Sequence, residues 1–193
     1  QLKSHSLSEL KEIASRLRRH ILDMVYTAGS GHCGGSLSAV EILTALYFDA
    51  MRICPENPFW EDRDRFILSK GHACPVLYAV LAERGFFDIE TLATLRQLGS
   101  ILQGHPDMTK TPGIDMTAGS LGQGLSIGLG MALAARFREK DFHTFVLMGD
   151  GELNEGQVWE AALAGSKYRT TNLVPIVDYN RVQLDGTTDE IMP

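Results

Sequence analysis

The sequence predicts an α/β fold: a mainly parallel sheet flanked by helices. Three observations carry this. Residues 143–148 are apolar at strand length and end in Gly149-Asp150-Gly151; residues 155–167 carry a helical pattern; residues 172–178 (NLVPIVD) are a second apolar run. Strand, helix and strand within about 35 residues make a βαβ unit, whose strands run parallel through a right-handed crossover. At 193 residues the chain suits one domain over 1–193 with ample core.

The other elements follow in order. Leu7, Leu10, Ala14, Leu17, Ile21 and Met24 recur at steps of three and four, one apolar stripe on a helix. Ser6 with Glu9 forms a capping box at its start, and Gly29 ends it. A second helix is expected over 37–50, with Val40, Leu43 and Tyr47 on one face. Residues 54–58 (CPENP) form a loop. A short strand at 65–69 and a helix at 72–84, stopped by Gly85, come next, then a short helix after Asp88. Residues 104–119 read as a long surface loop, a class often functional in compact domains. Over 121–137 glycines and alanines alternate with larger apolar residues, which predicts a tightly packed buried helix. No internal repeat or low-complexity tract is present.

Composition excludes several classes. Hydrophobic residues make up 44% and charged residues 22%, an ordinary globular balance. The net charge of −6 argues against a general nucleic-acid binder. No apolar run approaches the ~18 residues of a membrane span. Residues 2–19 are charged throughout, unlike a secretory leader. Cys33, Cys54 and Cys74 are odd in number and lack CxxC spacing, which points to a reduced, cytoplasmic setting.

The turn after residue 148 carries the chemistry. Backbone amides where a strand hands over to a helix suit an anion. Gly149, Gly151 and Gly156 do not make the GxGxxG of a dinucleotide turn. Asp150 would repel a bare diphosphate, and a divalent cation between them turns repulsion into a bridge. Asn180 lies just past the second strand, and ligands of open α/β sheets collect at strand carboxyl ends. Asp150, Asn180 and the Val182 carbonyl can therefore converge on Mg²⁺. Asp-Gly and Asn are equally ordinary turn residues, so position alone leaves both readings open.

The stretch from GDG at 149–151 to Asn180, with 28 residues between, resembles the thiamine-diphosphate motif. The whole chain resembles the N-terminal, diphosphate-binding region of transketolase. GSGHCGGSLSAVEIL (29–43), DRFILSKGHACPVLYAVL (64–81), GHPD (104–107), TAGSLGQGLSIGLGMALAAR (117–136) and NRVQLDG (180–186) stand in family order. The resemblance implies thiamine diphosphate and Mg²⁺ as cofactors, with Asp150, Asn180 and the Val182 carbonyl on the metal and Gly151 on the diphosphate. It implies His72 at the diphosphate, His32 near the thiazolium and substrate hydroxyls, and His105 on substrate oxygens. It sets Gly119, Ser120 and Leu121 along the cofactor. It makes Glu155 and Glu160 interface carboxylates that couple two active sites; alone they read as a solvated helix face.

Two departures stand out. Cys33 replaces a common Pro, and Ser120 replaces the Pro of GPLGQG in larger transketolases. The Ser form resembles bacterial two-subunit transketolases or 1-deoxyxylulose-5-phosphate synthase. In the family, the glutamate that activates the aminopyrimidine belongs to a separate pyrimidine-binding domain. The expected role is thus the diphosphate half of an oligomeric transketolase, incomplete at its C-terminal end. A partner chain or domain would bring the glutamate, and sugar phosphates would exchange a two-carbon ketol unit. Three alternatives stay open: a related enzyme for another sugar, a zinc hydrolase on His32, His72, His105 and Asp150, and a non-catalytic protein kept for assembly. The histidines lack HxH or HxxxH spacing, which counts against zinc.

Overall fold

The computed structural model describes residues 5–192, so the first few residues of the charged opening stretch lie outside the described residues. The chain divides into two compact units. A helical unit comprises the residues up to Arg63 with His72–Thr117, and a sheet unit comprises Asp64–Gly71 with the residues from Ala118 onward.

In the helical unit, α1 (Leu7–Ala28) has the expected reciprocal capping box between Ser6 and Glu9 and ends at Gly29 in the left-handed conformation. Its buried stripe is Ile13, Ala14, Leu17, Ile21 and Met24, while Leu7 stays 68% exposed. The single helix expected over 37–50 is broken up. It becomes α2 (Cys33–Leu37), α3 (Val40–Ala45) and a π-helical turn at Leu46–Ala50. Leu46, Tyr47 and Phe48 are consecutive and all buried. A regular α-turn fans three such neighbours away from one another, and the wider turn keeps them inside.

A 3-10 turn at Gly71–Ala73 leads into α4 (Cys74–Arg84), which ends at left-handed Gly85. All nine residues 74–82 are buried. A helix apolar on every side belongs in a core, and α4 packs against α1, α2 and α3. The short helix after Asp88 is a 3-10 segment, Ile89–Thr94. Residues 95–123 hold no helix or strand, yet Leu95, Leu102, Thr111 and Ile114 are buried. The expected surface loop is thus anchored by its own inward side chains.

In the sheet unit, β1 (Arg65–Leu68), β2 (Thr144–Gly149) and β3 (Leu173–Asp178) form a parallel sheet in the order β1-β2-β3. Register runs from Arg65↔Thr144 to Leu68↔Leu147, and from Thr144↔Leu173 to Gly149↔Asp178. This is the expected parallel βαβ arrangement. Helix α5 (Gly124–Phe137) packs on all three strands. A Cβ on Gly128 would stand 2.5 Å from Val146, so the absent side chain is what lets helix and sheet approach. A 3-10 turn at Gly151–Asn154 follows β2 and precedes α6 (Gly156–Lys167), which packs on α5. Beyond β3 a short hairpin, β4 (Val182–Gln183) with β5 (Gly186–Thr187), leads to α7 (Thr188–Ile191). No described helix is long and apolar enough to cross a membrane.

Candidate functional site

Asp150 sits at the carboxyl end of β2, only 8% exposed. One carboxylate oxygen accepts the Gly151 N–H at 2.9 Å, and the other accepts the Arg181 N–H at 2.6 Å. The second bond ties the turn after β2 to the segment after β3. There the Asn180 side-chain oxygen accepts the Val182 N–H at 2.9 Å, folding 180–182 into a tight turn. Arg181 at its centre has φ 64°, a left-handed conformation costly for a side-chain-bearing residue and typical of functional turns. Asp150, Asn180 and Val182, which the sequence places on one metal, are therefore brought together by hydrogen bonds. Asn180 and Val182 are exposed and Gly151 is half-buried.

Glu152 escaped the sequence reading. It is 3% exposed and gathers donors from three directions. It accepts the Ser69 hydroxyl, the Gly122 N–H at 2.7 Å and the Gly149 N–H at 3.1 Å. Gly122 has φ +81°, and a Cβ there would meet Glu155 at 2.8 Å, so only glycine carries this N–H to the carboxylate. Glu152 thereby fixes the GDG turn to the loop carrying Gly119, Ser120 and Leu121, all three exposed. A carboxylate two residues past Asp150, among glycine amides, was the available signal. Glu155 caps α6 and Glu160 lies within it, both exposed.

His32, His72 and His105 lie in the helical unit. His32 precedes α2, its carbonyl held by the buried Ser36 hydroxyl at 2.7 Å. The His32 and His72 rings meet edge to face, with centroids 5.3 Å apart. His105 lies on the irregular segment after residue 95. Tyr78 on α4 donates its hydroxyl to the carbonyls of Gln103 and His105 at 2.9 and 3.0 Å, and the Cys74 thiol points to the Gly104 carbonyl at 3.2 Å. Burial pushes the Cys74 thiol up to about 12 and the Tyr78 hydroxyl higher still, so both stay neutral donors. His105 is held below the ordinary histidine value by burial, then by the Arg96 charge and His32. His32 and His105 are exposed, and neither ring makes a hydrogen bond among the described residues.

The donors at the acidic turn fit Mg²⁺: a carboxylate, an amide oxygen and a carbonyl, all hard oxygens. Asp150 is buried and has only two backbone N–H partners, with no cationic side chain, among the described residues. The Gln183 side chain packs against Gly151, and its Nε2 is a buried donor without an acceptor. A diphosphate oxygen would satisfy such a donor. Among the described residues no three His, Cys, Asp or Glu side chains gather as a metal-holding group, so the zinc alternative gains no support.

A parallel sheet whose strand ends carry a buried acid and converging oxygen donors defines the open α/β class that binds ligands at strand carboxyl ends. Within that class the chain belongs to the transketolase, thiamine diphosphate binding domain family, which matches residues 10–192. It is 51% identical to an apulose-4-phosphate transketolase subunit of Phocaeicola vulgatus, over 91% of this chain and 62% of that one. It is 49% identical to a 6-deoxy-6-sulfo-D-fructose transketolase subunit of a Clostridium species, over 96% of this chain and 67% of the relative. The transketolase of Campylobacter jejuni superposes with a TM-score of 0.92 at 34% identity, over 98% of this chain and 31% of that chain. The chain thus spans about two-thirds of these two relatives and under a third of the solved transketolase.

Proposed function

We propose that this chain binds thiamine diphosphate through Mg²⁺ as the diphosphate-binding part of a transketolase working with a partner subunit. Buried Asp150, lacking a cationic partner, carries the reading. In this role Asp150, Asn180 and the Val182 carbonyl hold the metal, and Gly151 and Gln183 face the diphosphate. Thiamine diphosphate, when bound, supplies the carbanion chemistry that moves a two-carbon ketol unit between sugars. His72 donates to phosphate. The free nitrogens of His32 and His105 donate to, or accept from, sugar hydroxyls and steady charge as it develops. Gly119, Ser120 and Leu121 line the cofactor, and Glu155 and Glu160 meet the partner.

Two relatives are by name subunits, which supports a partner that brings the pyrimidine domain and its glutamate. Their names also speak for a sugar, phosphorylated or otherwise anionic, as the substrate class. The three free cysteines agree with a reducing cytoplasm. Calorimetric titration of thiamine diphosphate into the protein tests the core of the proposal. Binding is expected with Mg²⁺, lost with chelator, and lost in Asp150→Ala even with Mg²⁺. Wild-type affinity in the variant would overturn the metal assignment.

A further inference from the structure

Arg96 follows the 3-10 segment of the helical unit and has φ 61°, a conformation that side-chain-bearing residues rarely adopt. Its own N–H donates to the Leu102 carbonyl at 2.9 Å, which joins its backbone to the segment ahead of His105. The guanidinium then does two things. Its Nη1 donates to the Ser30 hydroxyl at 3.3 Å, two residues before His32. Its Nε lies 3.3 Å, and its Cζ 3.5 Å, from where a Cβ on Gly104 would stand, one residue before His105. The bonds from Tyr78 and Cys74 fix the His105 main chain, but they reach nothing in the His32 loop. Arg96 reaches both loops.

We propose that Arg96 is a positioning residue that clasps the His32 loop to the His105 loop and holds the two imidazoles as a pair facing an uncharged, hydroxyl-bearing part of the ligand. The statement about the ligand rests on the transketolase reading; the clasp does not. Strained backbone at an exposed arginine fits such a role, because local strain persists where surrounding structure holds it for function. The charges around His105 agree. Arg96 and His32 act on it, the His72 ring meets His32 edge to face, and Cys74 and Tyr78, which bond the Gly104 and His105 carbonyls, are neutral. Asp107, two residues on, is turned toward Thr109, whose N–H and hydroxyl it accepts at 2.9 and 2.7 Å. Burial, Arg96 and His32 all favour the uncharged ring. A neutral imidazole offers one donor and one acceptor, as a sugar hydroxyl requires.

Histidine NMR titration of the whole protein, without cofactor or sugar, tests the clasp directly, with the His105 signal assigned from its loss in His105→Gln. Arg96→Gln removes the charge and the fork, and the His105 midpoint is expected to rise toward the ordinary histidine value. Arg96→Lys keeps the charge but loses the fork. Its midpoint is expected to stay near wild type, while the His32 and His105 signals broaden or shift because the loops come apart. An unchanged His105 midpoint in Arg96→Gln, or unperturbed His32 and His105 signals in Arg96→Lys, would overturn the proposal. In the assembled enzyme both variants should raise the sugar KM about 10-fold with thiamine diphosphate affinity unchanged, the size of one lost hydrogen bond. Shifted midpoints with no effect on sugar KM would keep the clasp and reject the transketolase role of the pair.

Discussion

The carboxyl ends of β2 and β3 each bury an acid, and they treat it in opposite ways. At the end of β3, Asp178 is 6% exposed and meets Lys70, itself 1% exposed, at 2.5 Å. At the neighbouring end of β2, Asp150 is as deeply placed but among the described residues meets only two backbone N–H groups. A buried charge without a counter-charge is costly. The pair at β3 is complete, and it ties the residues after β1 to the outer strand β3 across β2. The acid at β2 has no cationic side chain beside it among the described residues, which is the place the proposed Mg²⁺ would fill. Two similar residues one strand apart thus contrast a paired charge with one that the proposed function assigns to the metal.

Breaking the complete pair gives the largest expected effect. Lys70→Met takes the buried cation away from Asp178 and should cost about 3–5 kcal/mol of stability. Lys70→Met with Asp178→Leu should recover much of that, because well-packed apolar replacements of buried pairs are often near neutral. Denaturant unfolding checks both, and a single variant within ~1 kcal/mol of wild type would remove the distinction drawn here. The acid at β2 behaves differently. Asp150→Asn removes an uncompensated charge but keeps only one of its two N–H acceptors, so the unliganded protein should lose less stability than with Lys70→Met, about 1–2 kcal/mol, while Mg²⁺-dependent affinity for thiamine diphosphate falls at least ~100-fold, about 3 kcal/mol. Thermal melts with and without cofactor measure the contrast. A large stability loss without cofactor would mean that Asp150 is structural after all.

How much of this was legible in the sequence depends on the range of the interaction. The α1 stripe, its Ser6–Glu9 cap, the strands around GDG and NLVPIVD, and the nearness of the turns that follow β2 and β3 follow from local periods and strand-end placement. The Lys70–Asp178 pair does not, because its members are 108 residues apart and only the order β1-β2-β3 aligns them. The broken second helix was hidden because burial of Leu46, Tyr47 and Phe48 together is decided by tertiary packing. Residues 104–119 looked like surface for their glycines and prolines, while Thr111 and Ile114 turn inward. The histidines drew attention only through the family motifs. Nothing local marks Arg96, whose partners Ser30 and Gly104 lie on other loops.

A smaller effect is expected where polar groups are exposed. His105 has no hydrogen bond to its ring among the described residues, so His105→Ala removes nothing the fold uses. Melting temperature and cofactor affinity should stay near wild type while the assembled enzyme loses about 1–2 kcal/mol in kcat/KM, one hydrogen bond to substrate. Loss of cofactor affinity with normal turnover at saturation would move His105 from substrate to cofactor.

The smallest effect extends the comparison to an acid whose cationic partner is exposed. Glu83, near the end of α4, accepts from Arg16 at 3.0 Å and contacts His20 at 3.0 Å, both on α1. Burial pushes the Glu83 carboxyl up, but the Arg16 and His20 hydrogen bonds and charges outweigh it and hold it below the ordinary glutamate value. A depressed carboxylate pKa means that the unfolded chain takes up its proton first on acidification. The stabilisation is therefore fully present above the unfolded value of about 4.3 and is lost as pH falls through the lower folded value. Arg16 is 47% exposed, so solvent screens the pair and the contribution should stay under about 1 kcal/mol. Glu83→Gln should accordingly flatten the acid limb of the stability–pH curve by that amount and leave neutral-pH cofactor binding unchanged. A loss as large as that of Lys70→Met would show that the α1–α4 contact is as dry as the end of β3, and that exposure is not what separates the two pairs.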